Sequence, residues 1–315
     1  MPLLRFLPEA TKINFVGVRY IAFAIDGLLL LASIVSIALH GFNLGIDFTG
    51  GVSLEMKSAQ HIDVGQLRSQ ISGLGFKDPE IQYVSGGQCD TPAESCALIR
   101  VQPQSDAAND ASAKNIIAKL GSSYTVRANN TVGPKVSGEL FHAGVLATLL
   151  AVLAIGIWVA VRFEWQYGIS AALATGHDVL VTAGLFSILH LDFTLTSIAA
   201  LLTLAGYSIN DTVVVFDRIR ENRRKFKRMG LGDLINLSTN QMLTRTILTS
   251  VATAVSLVPL LIYGGPSLFD FSAAILFGIV VGTFSSIYVA AALLLYLPAP
   301  AGSIDAGGGV AEVPA

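Results

Sequence analysis

A carboxylate placed where hydrocarbon should surround it is the first chemical opportunity in this chain. Asp211 lies in Gly206-Tyr-Ser-Ile-Asn-Asp-Thr-Val-Val-Val-Phe-Asp-Arg-Ile-Arg220, which continues an apolar run that begins near Thr194. On a helix, Thr203, Tyr207, Asn210, Asp211, Asp217 and Arg218 share an arc of roughly 120°, and Leu202, Ala205, Ile209, Val213 and Phe216 fill the opposite side. Asn210, Tyr207 and Ser208 are the polar residues expected to support the acid. A charge inside a bilayer helix costs about 2.5–3.5 kcal/mol, so such a residue normally faces a bundle interior and serves an ion pathway or a partner. The chemistry on offer is the gain and loss of a proton. Counting from Thr194 at about 1.5 Å per residue puts Asp211 about 25 Å into a core of about 30 Å, so cheap solvation among headgroups is the alternative.

Three further intrusions have the same character. His177 and Asp178 fall near the middle of an apolar run, about 18 Å from its basic end, where neither surface solvates them easily. Asp178 is therefore a second candidate for a proton relay, with an interhelical hydrogen bond as the bland reading. Arg245 lies near the start of a later run at a depth comparable with Asp211; snorkelling explains it alone, and pairing would offset the burial of both. Asp26 interrupts the first run, where snorkelling and function are equally good accounts. Ala274, Gly278, Gly282, Ser286 and Ala290 recur every fourth residue, a stripe suited to close helix packing.

The elements that must position these groups follow from composition. Hydrophobic residues make up 52% of the 315 and charged residues 13%, against about 25% in soluble proteins, so most of the chain belongs in a membrane. A basic leader, 1–19, precedes a first span, 20–40, whose length exceeds that of a signal-peptide core. Five more apolar runs follow within 139–297: Phe141 to Val161, Tyr167 to Leu189, Thr194 to Phe216, Leu243 to Tyr263 and Phe269 to Leu297. The leader, Arg162 and a basic loop, 218–242, place both ends in the cytoplasm by the positive-inside rule, and a tail, 298–315, closes the chain. That basic run could also meet nucleic acid or anionic lipid, but topology is sufficient to explain it.

Between the first two spans, 41–138 has the composition of an exported soluble domain. Strand-like Val52 to Lys57, Glu80 to Val84, Cys96 to Gln102 and Tyr124 to Asn130 alternate with helices Asp63 to Gly73, capped by Asp63, and Ala107 to Leu120. The order β-α-β-β-α-β is that of a ferredoxin-like α+β unit. Cys89 and Cys96, across a Gly-Gly and Thr-Pro turn region, fit a hairpin disulfide in an oxidising compartment or stand as two unpaired small apolar residues. No His accompanies them, which argues against metal. The fold class expected is a polytopic α-helical membrane protein of six spans carrying one exported α+β domain.

Gly45-Ile-Asp-Phe-Thr-Gly-Gly51, Val132-Gly-Pro134, Arg162-Phe-Glu-Trp165, His177-Asp-Val179, Gly206 to Asn222 and Arg245-Thr246 together resemble the SecF family of the bacterial protein-export machinery, in order over nearly the whole chain. The resemblance implies membership of the resistance-nodulation-division superfamily and an inner-membrane location. It implies pairing with SecD into a twelve-helix unit beside SecYEG, with YajC and translocating preproteins as further partners. Proton flow, or sodium flow, would drive late, ATP-independent export. By the same carry-over Asp211 is the titrating group, Arg245 its partner, and Gly45, Asp47, Gly50 and Gly51 the hinge between first span and first strand. Asp26 lies outside the pattern, and the tail lacks basic residues.

No G-x-x-x-x-G-K-[ST] loop, nucleophile-base arrangement or metal cluster is present in the sequence, so neither a cofactor nor an enzyme that makes or breaks covalent bonds is expected. Two other classes stay open. One is a half-transporter for a small molecule or lipid, which a single exported module of about a hundred residues fits poorly. The other is a passive scaffold subunit, in which every intramembrane charge is structural.

Overall fold

The computed structural model describes residues 11–76, 79–84, 89, 95–102, 106–121, 123–264 and 266–298. The first ten residues of the leader, the Gly-Gly and Thr-Pro turn residues and the tail from 299 lie outside them. In chain order the elements are α1 (Arg19–His40), β1 (Asn43–Leu44), α2 (Ile46–Thr49), β2 (Gly51–Ser58), α3 (Val64–Ser72), β3 (Glu80–Val84), β4 (Ser95–Val101), α4 (Asp106–Leu120) and β5 (Thr125–Val132). Then come α5 (Pro134–Arg162), α6 (Trp165–Ile188), β6 (Asp192–Phe193), α7 (Leu195–Lys225), α8 (Leu231–Tyr263) and α9 (Pro266–Ser285). The last helix runs on through a π-helical turn, Ser286–Ala290, to Leu293.

Six helices among the described residues, α1 and α5 to α9, are long and apolar enough to cross a membrane. α6, α7 and α9 hold the buried centre, while α1, α5 and α8 turn most of their apolar surface outward, as a lipid-facing layer does. Small residues set the spacing. A Cβ on Gly168 of α6 would meet Gly156 O of α5 at 2.7 Å, and one on Gly278 of α9 would meet the Leu204 side chain of α7 at 2.5 Å, so neither contact leaves room for a larger residue. The stripe that begins at Ala274 is thus the packing surface of α9, and the π-helical turn begins at its Ser286.

The basic stretch 218–242 is mostly helix, a correction to the loop expected there. Glu221 receives Arg218 at 2.5 Å and Lys225 at 2.6 Å, pairs three and four residues apart that carry α7 beyond the apolar run. Asn222 donates to Ser238 at 2.9 Å and Gln241 at 2.8 Å, fastening the extended end of α7 to the extended start of α8. Only 226–230 lie between the two helices. Charged side chains hid a helical period that apolar counting could not detect.

The soluble domain has the order expected. Its sheet runs β3-β4-β2-β5, antiparallel throughout, and Asp63 caps α3 by accepting from Gly65 and Gln66 N–H groups. Leu54, Met56 and Ile99 on one sheet face pack with Leu67, Ile71 and Ile116 from the two helices. The alternation of strands puts Ser53, Glu55, Leu98 and Arg100 on the other face, which lines a cleft with Asp47, Asp192 and Asp270 of the membrane-side elements. Arg100 bridges that cleft: its two terminal nitrogens donate to the two carboxylate oxygens of Asp192, and Glu80 lies 3.6 Å away. Burial opposes the Arg100 charge, but the hydrogen bonds and charges of Asp192 and Glu80 outweigh it, and the guanidinium pKa lies above its ordinary value. Cys89 and Cys96 are joined by a disulfide beside Val84, and Arg127 bonds both Glu55 and the Cys89 sulfur.

Candidate functional site

Asp211 sits on α7, 3% exposed, with its Oδ2 lacking any hydrogen-bond partner. The seam between α7 and α8 that holds it is a ladder of polar contacts. Tyr207 donates to Ser250 at 3.1 Å above it, Ser250 meets Thr283 at 2.7 Å, and Arg218 donates to Gln241 at 2.6 Å below it. On α8, Thr249 lies within hydrogen-bonding reach of Asp211 and the charge of Arg245 acts on it. A buried acid with an unpaired oxygen and a cation nearby can exchange a proton, because neither protonation state is fully satisfied.

Two expectations about this site change. Arg245 is exposed, in a groove with Asp217, Arg218 and Met242, and among the described residues no ion pair joins it to Asp211. Its long side chain reaches the open side of the bundle while Asp211 turns into the seam. The single polar arc on α7 also divides. Ser208 and Asp211 point inward, Tyr207 is half-buried, and Thr203, Asn210 and Asp217 are exposed, Asn210 in a groove with Gly206 and Ile209.

Ser208 serves a different acid. Asp178 is fully buried on α6, and its Oδ2 receives Ser208 of α7 at 2.5 Å and Ser285 of the last helix at 2.8 Å, while His177 Nδ1 lies 3.0 Å from its Oδ1. Gly282 makes the space, since a Cβ there would stand 3.3 Å from the same oxygen. Thr212 and Ser286 meet at 2.9 Å one turn further along. Sequence reasoning missed Ser285 and Ser250 and read Ser286 only as part of a packing stripe, because the value of each depends on which helix faces it. It also missed Thr249, which a stripe on α8 could have revealed: Ser238, Gln241, Arg245 and Thr249 recur at three- and four-residue spacing.

The stretch from Gly45 to Gly51, expected as a hinge, is more firmly built than a simple turn. β1 pairs in parallel with β6, Asn43 opposite Asp192 and Leu44 opposite Phe193, and Gly45 N–H donates to Phe193 O at 2.9 Å. Asp47 Oδ2 accepts the Leu195 N–H at 2.9 Å and so caps α7, the helix that carries Asp211. Phe48 packs with Phe141 and Phe193 underneath. Gly50 and Gly51 then turn the chain into β2 at φ 73° and 125°, and a Cβ on Gly51 would stand 2.6 Å from Val101 O.

Comparison with known proteins agrees over the same residues. The family described as protein export membrane protein SecD/SecF, C-terminal, matches residues 112–299, and the SecD/SecF GG motif matches residues 35–60. The protein translocase subunit SecF of Cereibacter sphaeroides is 41% identical over 97% of this chain and 94% of its own length; that of Pseudomonas aeruginosa is 37% identical over 90% and 91%. A crystal structure of SecDF, a translocon-associated membrane protein from Thermus thermophilus, superposes with a TM-score of 0.81 at 37% identity, covering 92% of this chain. A SecDF structure in the super-membrane-facing form gives 0.64 at 39% identity over 90%. The chain spans 39% and 38% of those two longer chains. Family match, relatives and fold thus converge, and the chain belongs to the SecD/SecF family of protein-export membrane proteins, among its SecF members.

Proposed function

We propose that this chain is one half of a proton-driven protein-export unit of the resistance-nodulation-division type, completed by a SecD-type chain in the bacterial inner membrane. Both ends are cytoplasmic and 41–138 is periplasmic. The unit works beside SecYEG, with YajC as an accessory, on preproteins in the late, ATP-independent stage of translocation. The observation that carries this reading is the placement of Asp211: a buried acid with an orphan oxygen on the helix whose far end is held by the Gly45–Gly51 hinge.

The coupling follows from charge. Ionised Asp211 attracts Arg245 from its exposed groove into the seam; protonated Asp211 lets it return. Each state favours a different packing of α7 on α8. One charge crossing the membrane supplies about 2.3 kcal/mol per 100 mV, comparable with the few kcal/mol that separate two packings of a bundle. Movement of α7 passes as a rigid rod to Asp47 and β6, and from Asp192 through Arg100 to the sheet. Domain and bundle therefore move together.

Thr203, Asn210 and Asp217 form a polar line on the outside of an otherwise apolar bundle, which suits a partner's helices rather than lipid. Affinity purification from native membranes should bring down a SecD-type chain, and Asn210→Arg should abolish its recovery while the chain still inserts. Recovery of the chain alone, or full recovery with Asn210→Arg, contradicts the assembly.

A further inference from the structure

Asp26 is a buried acid for which nothing above has a use. It lies on α1, 3% exposed, and neither carboxylate oxygen has a hydrogen-bond partner. α6 is the main helix against it and brings two titratable side chains within range, His177 and Asp178. His177 connects the other two: its Nε2 lies 3.4 Å from the Asp26 carbonyl oxygen and its Nδ1 3.0 Å from Asp178 Oδ1. The π-helical turn Ser286–Ala290 also packs on α1 and contains no charged residue; its one titratable side chain, Tyr288, is engaged with the rings of Phe15 and Phe284.

The two carboxylates are treated in opposite ways. Asp178 has donors from Ser208, Ser285 and His177, the surroundings that hold an anion. Asp26 has none, the surroundings that favour a neutral acid. With imidazolium against Asp178 and a proton on Asp26 the cluster is neutral. Losing the Asp26 proton leaves one net negative charge beside a positive one, which is bearable only because His177 stands there. We propose that Asp26, His177 and Asp178 are a second proton-binding site of this bundle, in which Asp26 takes up and releases the proton and the His177–Asp178 pair is the fixed charge that tunes it. The inference does not depend on the role of Asp211, which sits in a different helix seam and is tested by a different variant.

The test is infrared spectroscopy of the full chain, with whatever partner co-purifies, in lipid bilayers across a pH series. A carbonyl-stretching band of a protonated carboxylic acid should grow as pH falls. Asp26→Asn should remove it, Asp26→Glu should keep it at a shifted frequency, and Asp211→Asn should leave it in place. His177→Gln should move its midpoint by about one pH unit. A spectrum unchanged by Asp26→Asn overturns the site, because Asp26 then carries no titrating proton. A band that responds to neither pH nor His177→Gln also overturns it, as a permanently neutral acid would behave so. Loss of the band on adding sodium at fixed pH marks a cation site instead and likewise contradicts the proposal. Should Asp26→Asn fail to assemble, the Asp26→Glu and His177→Gln spectra decide alone.

Discussion

Asp178 and Asp211 are both aspartates buried in the same bundle, and both are tied to α7, yet their surroundings differ. Asp178 binds Ser208 and Ser285 on two neighbouring helices and His177 on its own, and none of its oxygens is unpaired. Asp211, three residues along α7 from Ser208, keeps an oxygen with no partner, and among the described residues no ion pair joins it to Arg245. Under the proposed coupling, an acid already surrounded by donors gains little from a change of packing and would act as a fastening among α6, α7 and the last helix. An acid left short of donors improves its surroundings only if the helices move or a proton arrives. Under the proposed coupling, completeness of hydrogen bonding rather than burial alone separates the two acids.

The largest expected effect breaks the fastening. Asp178→Ala strands two interhelical hydroxyl donors and an imidazole, and should cost about 1–3 kcal/mol in the thermal unfolding of the purified protein. Asp211→Ala removes an acid with fewer donors, Thr249 among them, and should cost less than Asp178→Ala. Equal losses would erase the distinction between the two acids. The next effect is at the Gly45–Gly51 stretch. Gly51→Val forces a branched side chain into φ 125° against Val101 O and should cost about 1–3 kcal/mol, read as lost hydrogen-exchange protection in β2 and β4. Unchanged protection would make this an ordinary turn. Asp47→Ala should be milder, about 1 kcal/mol, because it removes one cap from a long helix. It should raise exchange in the first turn of α7 and slow export without loss of assembly; normal export would sever the hinge from Asp211.

Much of this fold is written locally. Apolar run lengths give the six spans, and Asp63, the turn residues and the alternation in β2 and β4 give the soluble domain, because each signal lies within a few residues of its effect. What could not be read depends on distant neighbours. Asn43–Leu44 and Asp192–Phe193 are too short to be strands until the fold brings them side by side. Ser208 looks like support for Asp211 until α6 places Asp178 against it. Arg245 looks like a direct partner at equal depth, but depth says nothing about which way around the helix a side chain points. The identity of the acids was legible, and the partners that distinguish them were not.

In the proposed mechanism Asp211 is driven by protonation and not merely packed. Asp211→Asn keeps volume and hydrogen-bonding capacity while removing titration, so export of a preprotein into vesicles, with and without a proton motive force, addresses it most directly. The variant should insert, bind its SecD-type partner and export at the unenergised rate, with stimulation by the force lost, and Arg245→Met added to it should restore nothing. Full force-dependent stimulation in the Asp211→Asn protein would contradict the account.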